Sequence, residues 1–179
     1  MVKKIALIKG GLLFATVVAV LCGALTKPDE FRVERSIVIK ARPEAIFPVI
    51  GDFHRATEWS PWDKLDPNLK RTFSGADSGK GAKYGWSGNN EVGEGSLEVL
   101  EFEPPTKVVM NLHFVRPMEG DNTVTYLLEP QGDATKMTWS LHGPNNFVAK
   151  VMQVFMNCED MCGKSFERGL GNLKAICEK

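Results

Sequence analysis

The sequence has no excess charge of either sign: 22 basic and 22 acidic residues give the 179-residue chain a formal net charge of zero. Proteins that bind nucleic acid normally carry a basic excess, because contacts to phosphate supply much of their affinity. The composition therefore predicts that nucleic acid is not a partner. No internal repeat or low-complexity tract is visible, and the length suits one domain of common size beside any targeting segment.

Histidine and cysteine are scarce, with three and four residues respectively. Cys158 and Cys162 are one helical turn apart, and neighbours within one helix rarely meet disulfide geometry. A metal site there would need two further ligands, so we predict no metal, no cofactor, and thiols that pack as small hydrophobic side chains. Neither His113 nor His142 has a nucleophile or metal-ligand spacing beside it in the sequence, and no catalytic residue is predicted.

The N-terminus contains an uncharged run from Gly10 to Leu25, preceded by Lys3, Lys4 and Lys9. A bilayer span takes about 20 residues, which the run reaches if Ile5–Ile8 are included and Lys9 snorkels. Residues 1–27 are thus predicted to be a transmembrane anchor, or a signal peptide cleaved near Cys22-Gly23-Ala24. The lysines favour a cytoplasmic N-terminus, which places the domain on the outer, periplasmic side, membrane-anchored or exported.

Seven segments of residues 28–179 alternate apolar and polar residues or are rich in β-branched and aromatic ones, as strands are. They are Phe31–Lys40, Asn68–Gly75, Ala82–Ser87, Val92–Glu103, Lys107–Arg116, Thr123–Pro130 and Thr135–His142. Clusters of Gly, Asn, Asp and Pro separate the last six, which predicts an antiparallel meander. Two short helices are predicted between the first and second strands.

The segment from Asn145 to about Lys174 repeats apolar residues every three or four positions, the period of one helical face. At about 1.5 Å per residue, one helix over this segment would be about 45 Å long. Its apolar stripe needs a partner, and the sheet is the only large one. The predicted fold class is α+β, with a curved antiparallel sheet wrapped around a long C-terminal helix.

This layout resembles the START-like (SRPBCC) superfamily, and in particular its polyketide cyclase/dehydrase-type branch. The stretches that carry the resemblance are FRVERSIVIKARPEAIFPVIGDF (Phe31–Phe53), WSPW (Trp59–Trp62), GNNEVGEGSLEVLEFEPPTKV (Gly88–Val108) and TKMTWSLHGP (Thr135–Pro144). The resemblance covers Phe31–Lys179. It implies a helix-grip fold that encloses an apolar cavity for lipids or other hydrophobic small molecules, and it implies no particular reaction.

We therefore expect binding or transport of a hydrophobic, lipid-like molecule in a cavity between the sheet and the C-terminal helix. Aromatic and methionine side chains suit such a site, with few polar groups to orient the ligand. The candidate ligand-binding residues are Trp59, Trp62, Tyr84, Trp86, Glu94, His113, Trp139, Met152, Phe155 and Met156. Two alternatives stay open: a polyketide cyclase- or dehydratase-like enzyme acting on a hydrophobic substrate, and a protein-interaction module.

Overall fold

A computed structural model describes residues 17–155 and 158–179, without the side chains of Phe155 and Cys158. The chain divides into two compact units. The small unit contains the residues up to Phe31 together with Pro144–Cys158, and the large unit contains Arg32–Gly143 and Glu159–Lys179. Most of the predicted anchor, residues 1–16, lies outside the described part of the chain.

The sheet has seven strands, in the spatial order β1-β7-β6-β5-β4-β3-β2. Their bounds are β1 Glu30–Ile39, β2 Lys70–Gly75, β3 Ala82–Ser87, β4 Glu94–Glu103, β5 Lys107–Arg116, β6 Gly120–Gln131 and β7 Ala134–Pro144. Each strand from β2 to β6 pairs antiparallel with the next one along the chain. The predicted strands and meander are confirmed, and two irregularities in β4 bend the sheet.

Besides the helical residues 17–25, the described part of the chain contains α1 Pro43–Ile50, α2 Ala56–Trp59, α3 Phe147–Phe155 and α4 Cys158–Cys177. A 3-10 turn at Phe53–Arg55 joins α1 to α2, so the two predicted short helices are confirmed. Pro43 starts α1 with the fixed φ that a first helical position favours.

The structure describes helix over most of the predicted segment Asn145–Lys174, as α3 and α4. Residues 156–157 between them lie outside the described part, and the boundary of the two units falls at the start of α4. The apolar stripe is buried in α4, where Phe166, Leu170 and Leu173 are almost fully covered. In α3 the exposed fractions of Phe147 and Met152 are 51% and 40%. Among the apolar residues that repeat along this segment, these three of α4 are thus buried and these two of α3 are exposed.

The inner face of the sheet is the face that α4 covers. Val124, Tyr126 and Leu128 alternate along β6 on this face, opposite Leu141, Trp139 and Met137 of β7. All six side chains are buried, as the period of two residues requires for one covered face. The inner face therefore carries the core of the large unit.

Helix α4 packs on β7 and β1 through an aromatic stack and polar ties. The rings of Phe166 and Trp139 are stacked with their centroids 4.2 Å apart. Arg35 of β1 donates to Glu167 at 2.9 Å, and Lys174 donates to the carbonyl of Val38 at 2.6 Å. These contacts fix the register of α4 along the sheet.

Close packing at this interface depends on a glycine in α4. A Cβ on Gly169 would lie 2.9 Å from the Trp139 ring and 3.1 Å from Pro61, whereas a Cβ on Gly171 would meet no atom within 4 Å. Gly169 therefore permits the helix to approach Trp139, and Gly171 has no such role.

We predict opposite effects for alanine at these two helix positions. Gly169→Ala should lower the free energy of unfolding by about 1–3 kcal/mol, because the added methyl overpacks the interface. Gly171→Ala should leave it unchanged or raise it by up to about 1 kcal/mol, since alanine favours helix more than glycine does. Urea unfolding of both variants measures the difference, and equal midpoints would contradict the proposed approach of α4 to Trp139.

The small unit contains the helical residues 17–25 and the helix α3. Asn145 donates from its backbone to the carbonyl of Asp29 at 2.7 Å and from its side chain to the carbonyl of Pro28 at 2.9 Å. Lys150 of α3 forms an ion pair with Asp29. Within residues 17–155 and 158–179, no helix has the combined length and hydropathy that a bilayer span requires.

Candidate ligand-binding site

Five rings form a packed group beneath α4, which we call the core cluster: Trp59, Trp62, Tyr126, Trp139 and Phe166. Trp139 is its centre, with centroid distances of 5.4 Å to both Trp59 and Tyr126 and 5.6 Å to Trp62. These three contacts are edge-to-face, the arrangement that the ring quadrupoles favour. The contact between α4 and β7 is therefore filled by side chains of the protein itself.

The core cluster contains indole N–H donors and the hydroxyl of Tyr126. The indole Nε1 atoms of Trp59 and Trp139 are buried and have no hydrogen-bond partner among the described residues. In edge-to-face pairs an N–H can point at a neighbouring ring face, which compensates part of the lost hydration. Burial raises the pKa of Tyr126, so its hydroxyl is neutral at any physiological pH.

A second set of rings, which we call the aromatic wall, lines the inner face toward the β2 edge: Phe73, Tyr84, Trp86 and Phe114. Centroid distances along it are 5.5 Å from Phe73 to Tyr84, 6.0 Å from Tyr84 to Trp86 and 5.9 Å from Trp86 to Phe114. Phe73 is 40% exposed, and the other three are only half-buried. The wall is therefore more accessible than Trp59, Tyr126, Trp139 and Phe166 of the core cluster, which are buried.

Strand register explains why these rings share one face. Arg71, Trp86, Gly95 and Phe114 occupy one row of cross-strand partners, and Phe73, Tyr84, Leu97 and Leu112 occupy the next. Directly opposed residues project to the same side of a sheet, and so do residues two apart along a strand.

The Trp86 ring is held in place by a hydrogen bond and by a glycine. Its Nε1 donates to the carbonyl of Val92 at 3.2 Å. A Cβ on Gly95 would lie 2.7 Å from the Trp86 ring and 2.5 Å from the carbonyl oxygen of His113. The ring thus lies over Gly95, and the wall has a defined shape in the free protein.

Three residues at the wall bring polar groups together, and we call them the polar anchor: Asp63, Arg71 and Tyr84. Nε and Nη2 of Arg71 both donate to Oδ1 of Asp63, the Nε contact at 2.8 Å. Nη1 of Arg71 also donates to the carbonyl of Leu69. The side chains of Asp63 and Arg71 are 9% and 29% exposed, so this is a largely buried ion pair.

Tyr84 completes the polar anchor as a neutral hydroxyl. Burial, and then the negative charge of Asp63, raise its pKa, while the charge of Arg71 and a hydrogen bond with it oppose the shift. The hydrogen bond with Asp63 is the main cause that raises the pKa of Arg71. The guanidinium is therefore charged and the phenol protonated at neutral pH.

A groove of about 330 Å³ adjoins the wall at the β2–β3 hairpin. Phe53, His54 and Phe73 form its aromatic side, and Asp77 and Lys83 add charge. His54 and Phe73 are stacked with a centroid distance of 4.0 Å, and Phe53 is 5.8 Å from Tyr84. The groove thus extends the accessible aromatic surface toward the hairpin.

The residues that we predicted for the site fall into four groups. Trp59, Trp62 and Trp139 lie in the core cluster. Tyr84 and Trp86 lie in the aromatic wall. Met152 lies in α3. The side chain of Phe155 and the whole of Met156 lie outside the described part.

The fourth group, Glu94 and His113, lies on the face opposite the wall, because each neighbours an inward-facing residue along its strand. Glu94 accepts hydrogen bonds from Ser87 at 3.2 Å and from Arg116 at 3.1 Å. His113 pairs with Asp121 at 3.0 Å. Both side chains therefore have partners on the outer face of the sheet.

Sequence reasoning missed Arg71, Phe73 and Phe114, and it gave Asp63 no role. Alternation within β2 was the available signal, since Arg71 and Phe73 are two residues apart and so share a face. The pairing of Arg71 with Asp63 depends on the loop before β2, which no periodicity specifies. In the described ranges, no group of three His, Cys, Asp or Glu residues could hold a metal ion.

A family described as polyketide cyclase / dehydrase and lipid transport matches residues 30–178. The chain belongs to this family. The match covers β1 through α4, which confirms the resemblance to the START-like superfamily drawn from the sequence. No curated protein matches the chain.

Solved structures agree with the family's fold. A ginseng (Panax ginseng) major latex-like protein has a TM-score of 0.60 at 11% identity, over 85% of this chain and 100% of that one. The Aha1 dimer from Colwellia psychrerythraea gives 0.60 at 18% identity, over 83% and 96%. A Chromobacterium violaceum protein gives 0.59 at 18%, over 86% and 99%. At such identities the likeness establishes the fold alone.

The first prediction from the site concerns Gly95. Gly95→Ala should displace the Trp86 ring, because the new methyl group and the ring occupy the same space. We expect a changed near-ultraviolet circular dichroism spectrum and a loss of about 1–3 kcal/mol in unfolding free energy. Gly120→Ala is the matched control, since a Cβ there meets no atom within 4 Å. Wild-type spectra for both variants would contradict the described position of Trp86.

The second prediction concerns alkaline pH. The chain has only two tyrosines, and both Tyr84 and Tyr126 have a raised pKa in the folded protein. The folded state therefore retains protons that the unfolded chain releases near pH 10, and stability should fall as pH rises above about 10. Tyrosinate absorbance should lag behind that of the urea-unfolded chain. Coincident titration curves would contradict the burial of both hydroxyls.

Proposed function

We propose that this family member binds an apolar small molecule against the aromatic wall. The observation that carries the proposal is the combination of accessibility and fixed shape: four adjoining rings remain partly exposed, while Trp86 is held by Val92 and Gly95. Ligand sites in proteins are typically concave, mostly apolar and largely preformed. The family's description names lipid transport, which is consistent with an apolar ligand.

The location of this site differs from the cavity expected beneath the C-terminal helix. Where α4 meets β7, the stack of Trp139 and Phe166 occupies the interface. The wall lies on the same face of the sheet but toward β2, at the end of the strand order opposite β1. An apolar ligand on the wall would add contact area without displacing the core cluster.

Binding is favoured over catalysis by the chemistry of the wall. Among the described residues of the wall and its polar anchor, the ionisable groups are Asp63, Arg71 and Tyr84. The carboxylate is occupied by Arg71, and the phenol is neutral. Neither arrangement supplies a base or a nucleophile near neutral pH. The family's description also names cyclase and dehydrase activity, and that enzyme role remains the second candidate.

The test is competition with a neutral apolar fluorophore, N-phenyl-1-naphthylamine, on the purified full-length chain. We expect saturable binding, displaced by long-chain lipids. Trp86→Ala should weaken it at least tenfold, which corresponds to about 1.4 kcal/mol. His113→Ala, on the opposite face of the sheet, should bind as the wild type does.

Urea unfolding of both variants shows whether a variant binds weakly because it is unfolded or because its binding site has changed. If neither the fluorophore nor a panel of fatty acids, phospholipids and isoprenoids binds to the folded wild type, the proposal fails. Equal losses in Trp86→Ala and His113→Ala would also contradict a site on the wall.

We further propose that residues 1–27 hold the domain at a membrane, on the periplasmic side. Two features support it: the uncharged run from Gly10 to Leu25, and the exposed apolar side chains of Val17, Val18 and Leu21 in the small unit. Transfer of such side chains from water to hydrocarbon is favourable. A membrane location would bring the site close to a supply of apolar ligands.

Carbonate extraction of membranes from expressing cells tests this location. The wild type should remain in the pellet, and a variant with both Val17→Lys and Leu21→Lys should be released, because charge in a span is costly. Val38→Lys, at an exposed apolar position of β1, controls for the added charge and should pellet. A wild type that carbonate releases would refute the anchor, and added protease that leaves the domain intact in spheroplasts would refute its outer location.

A further inference from the structure

We propose that the polar anchor selects an uncharged ligand that presents an acceptor oxygen, such as a ketone or an ester, and disfavours a carboxylate. This inference rests on the proposed function and names the ligand class of that same site. It follows from the charge state, the hydrogen-bond directions and the burial of Asp63, Arg71 and Tyr84.

The first step is charge. Arg71 is the cation of the anchor, and Asp63 neutralises it through two contacts to one oxygen atom. Removing an ion pair from water costs least when its partners are hydrogen-bonded to each other, as Arg71 and Asp63 are. A ligand carboxylate would bring a second anion beside Asp63. It would have to compete with that carboxylate for Arg71, whereas an uncharged group leaves the pair intact.

The second step is hydrogen-bond direction. A guanidinium has donors only, so Arg71 can interact with the Tyr84 hydroxyl only through the phenolic oxygen. The phenolic hydrogen stays available as a donor to a ligand. The side chain has an apolar ring in the wall and a donor at its tip. Such a donor complements a carbonyl or ester oxygen at one end of an apolar chain.

The third step is burial. The side chains of Asp63 and Arg71 are only 9% and 29% exposed, and a charged ligand group that enters such a place loses most of its hydration. An ester oxygen has a smaller hydration free energy to lose than a carboxylate has. The penalty for entering the site is therefore lower for the uncharged ligand, while the hydrogen bond from Tyr84 is available to it.

The experiment uses three probes of one chain length on the full-length protein: dodecane, methyl dodecanoate and dodecanoate. Each competes with N-phenyl-1-naphthylamine at pH 8, where dodecanoate is ionised. We expect the ester to bind at least tenfold more tightly than the carboxylate and several-fold more tightly than the alkane.

Two variants assign that preference to the anchor. Tyr84→Phe should remove most of the advantage of the ester over the alkane and leave the alkane's affinity within about twofold, because only the donor is lost. Asp63→Asn should leave Arg71 without its anion, so that the affinity ratio of carboxylate to ester rises at least tenfold. Glu98→Gln removes an exposed carboxylate from the outer face and should leave all three affinities unchanged.

The outcomes separate this inference from the proposed function. Absence of binding by all three probes and the fluorophore overturns the proposed function itself. Binding in which dodecanoate equals or exceeds the ester overturns only the ligand class. If the affinity ratio of carboxylate to ester is unchanged in folded Asp63→Asn, the ligand class is likewise overturned. If circular dichroism shows that Asp63→Asn is unfolded, the wild-type affinity ratio and the result for Tyr84→Phe decide on the ligand class.

Discussion

The stack of Phe166 on Trp139 is the contact on which the arrangement of the large unit depends. It joins α4 to the inner face of the sheet at a centroid distance of 4.2 Å. Gly169 permits this approach, since a side chain there would meet the Trp139 ring. Trp59, Trp62 and Tyr126 then close around Trp139. Once these rings are packed, the same face can remain open only toward the β2 edge.

The division of one face into a closed and an open part has a physical consequence. Rings in the core cluster stabilise the fold through burial and edge-to-face contacts. A ligand that bound reversibly among them would have to displace these close-packed side chains. Rings of the wall are fixed from behind, by the carbonyl of Val92 and the absence of a side chain at Gly95. A fixed surface loses little conformational freedom on binding, which favours affinity.

Aromatic content and strand periodicity allowed the sequence to indicate part of this site. The sequence analysis named Tyr84 and Trp86 because tryptophan and tyrosine are conspicuous in a strand pattern, and both lie in the aromatic wall. It named Trp59 and Trp139 for the same reason, but they pack in the core cluster. Residue type alone does not distinguish a ring that fills a core from a ring that lines a site. Glu94 and His113 lie on the outer face because each directly neighbours an inward-facing residue, Gly95 or Leu112, along its strand.

Local patterns by themselves determined the class of fold: alternation gave the seven strands, turn residues gave the meander, and a period of three to four residues gave the C-terminal helices. These are short-range properties, set by backbone geometry and by the burial of one face. Tertiary structure decided the rest. The pairing of Arg71 with Asp63, the row that joins Trp86 to Phe114, and the closure of Trp139 by Phe166 bring together residues whose contacts depend on register and packing. Such contacts form only when distant segments meet, so no local periodicity encodes them.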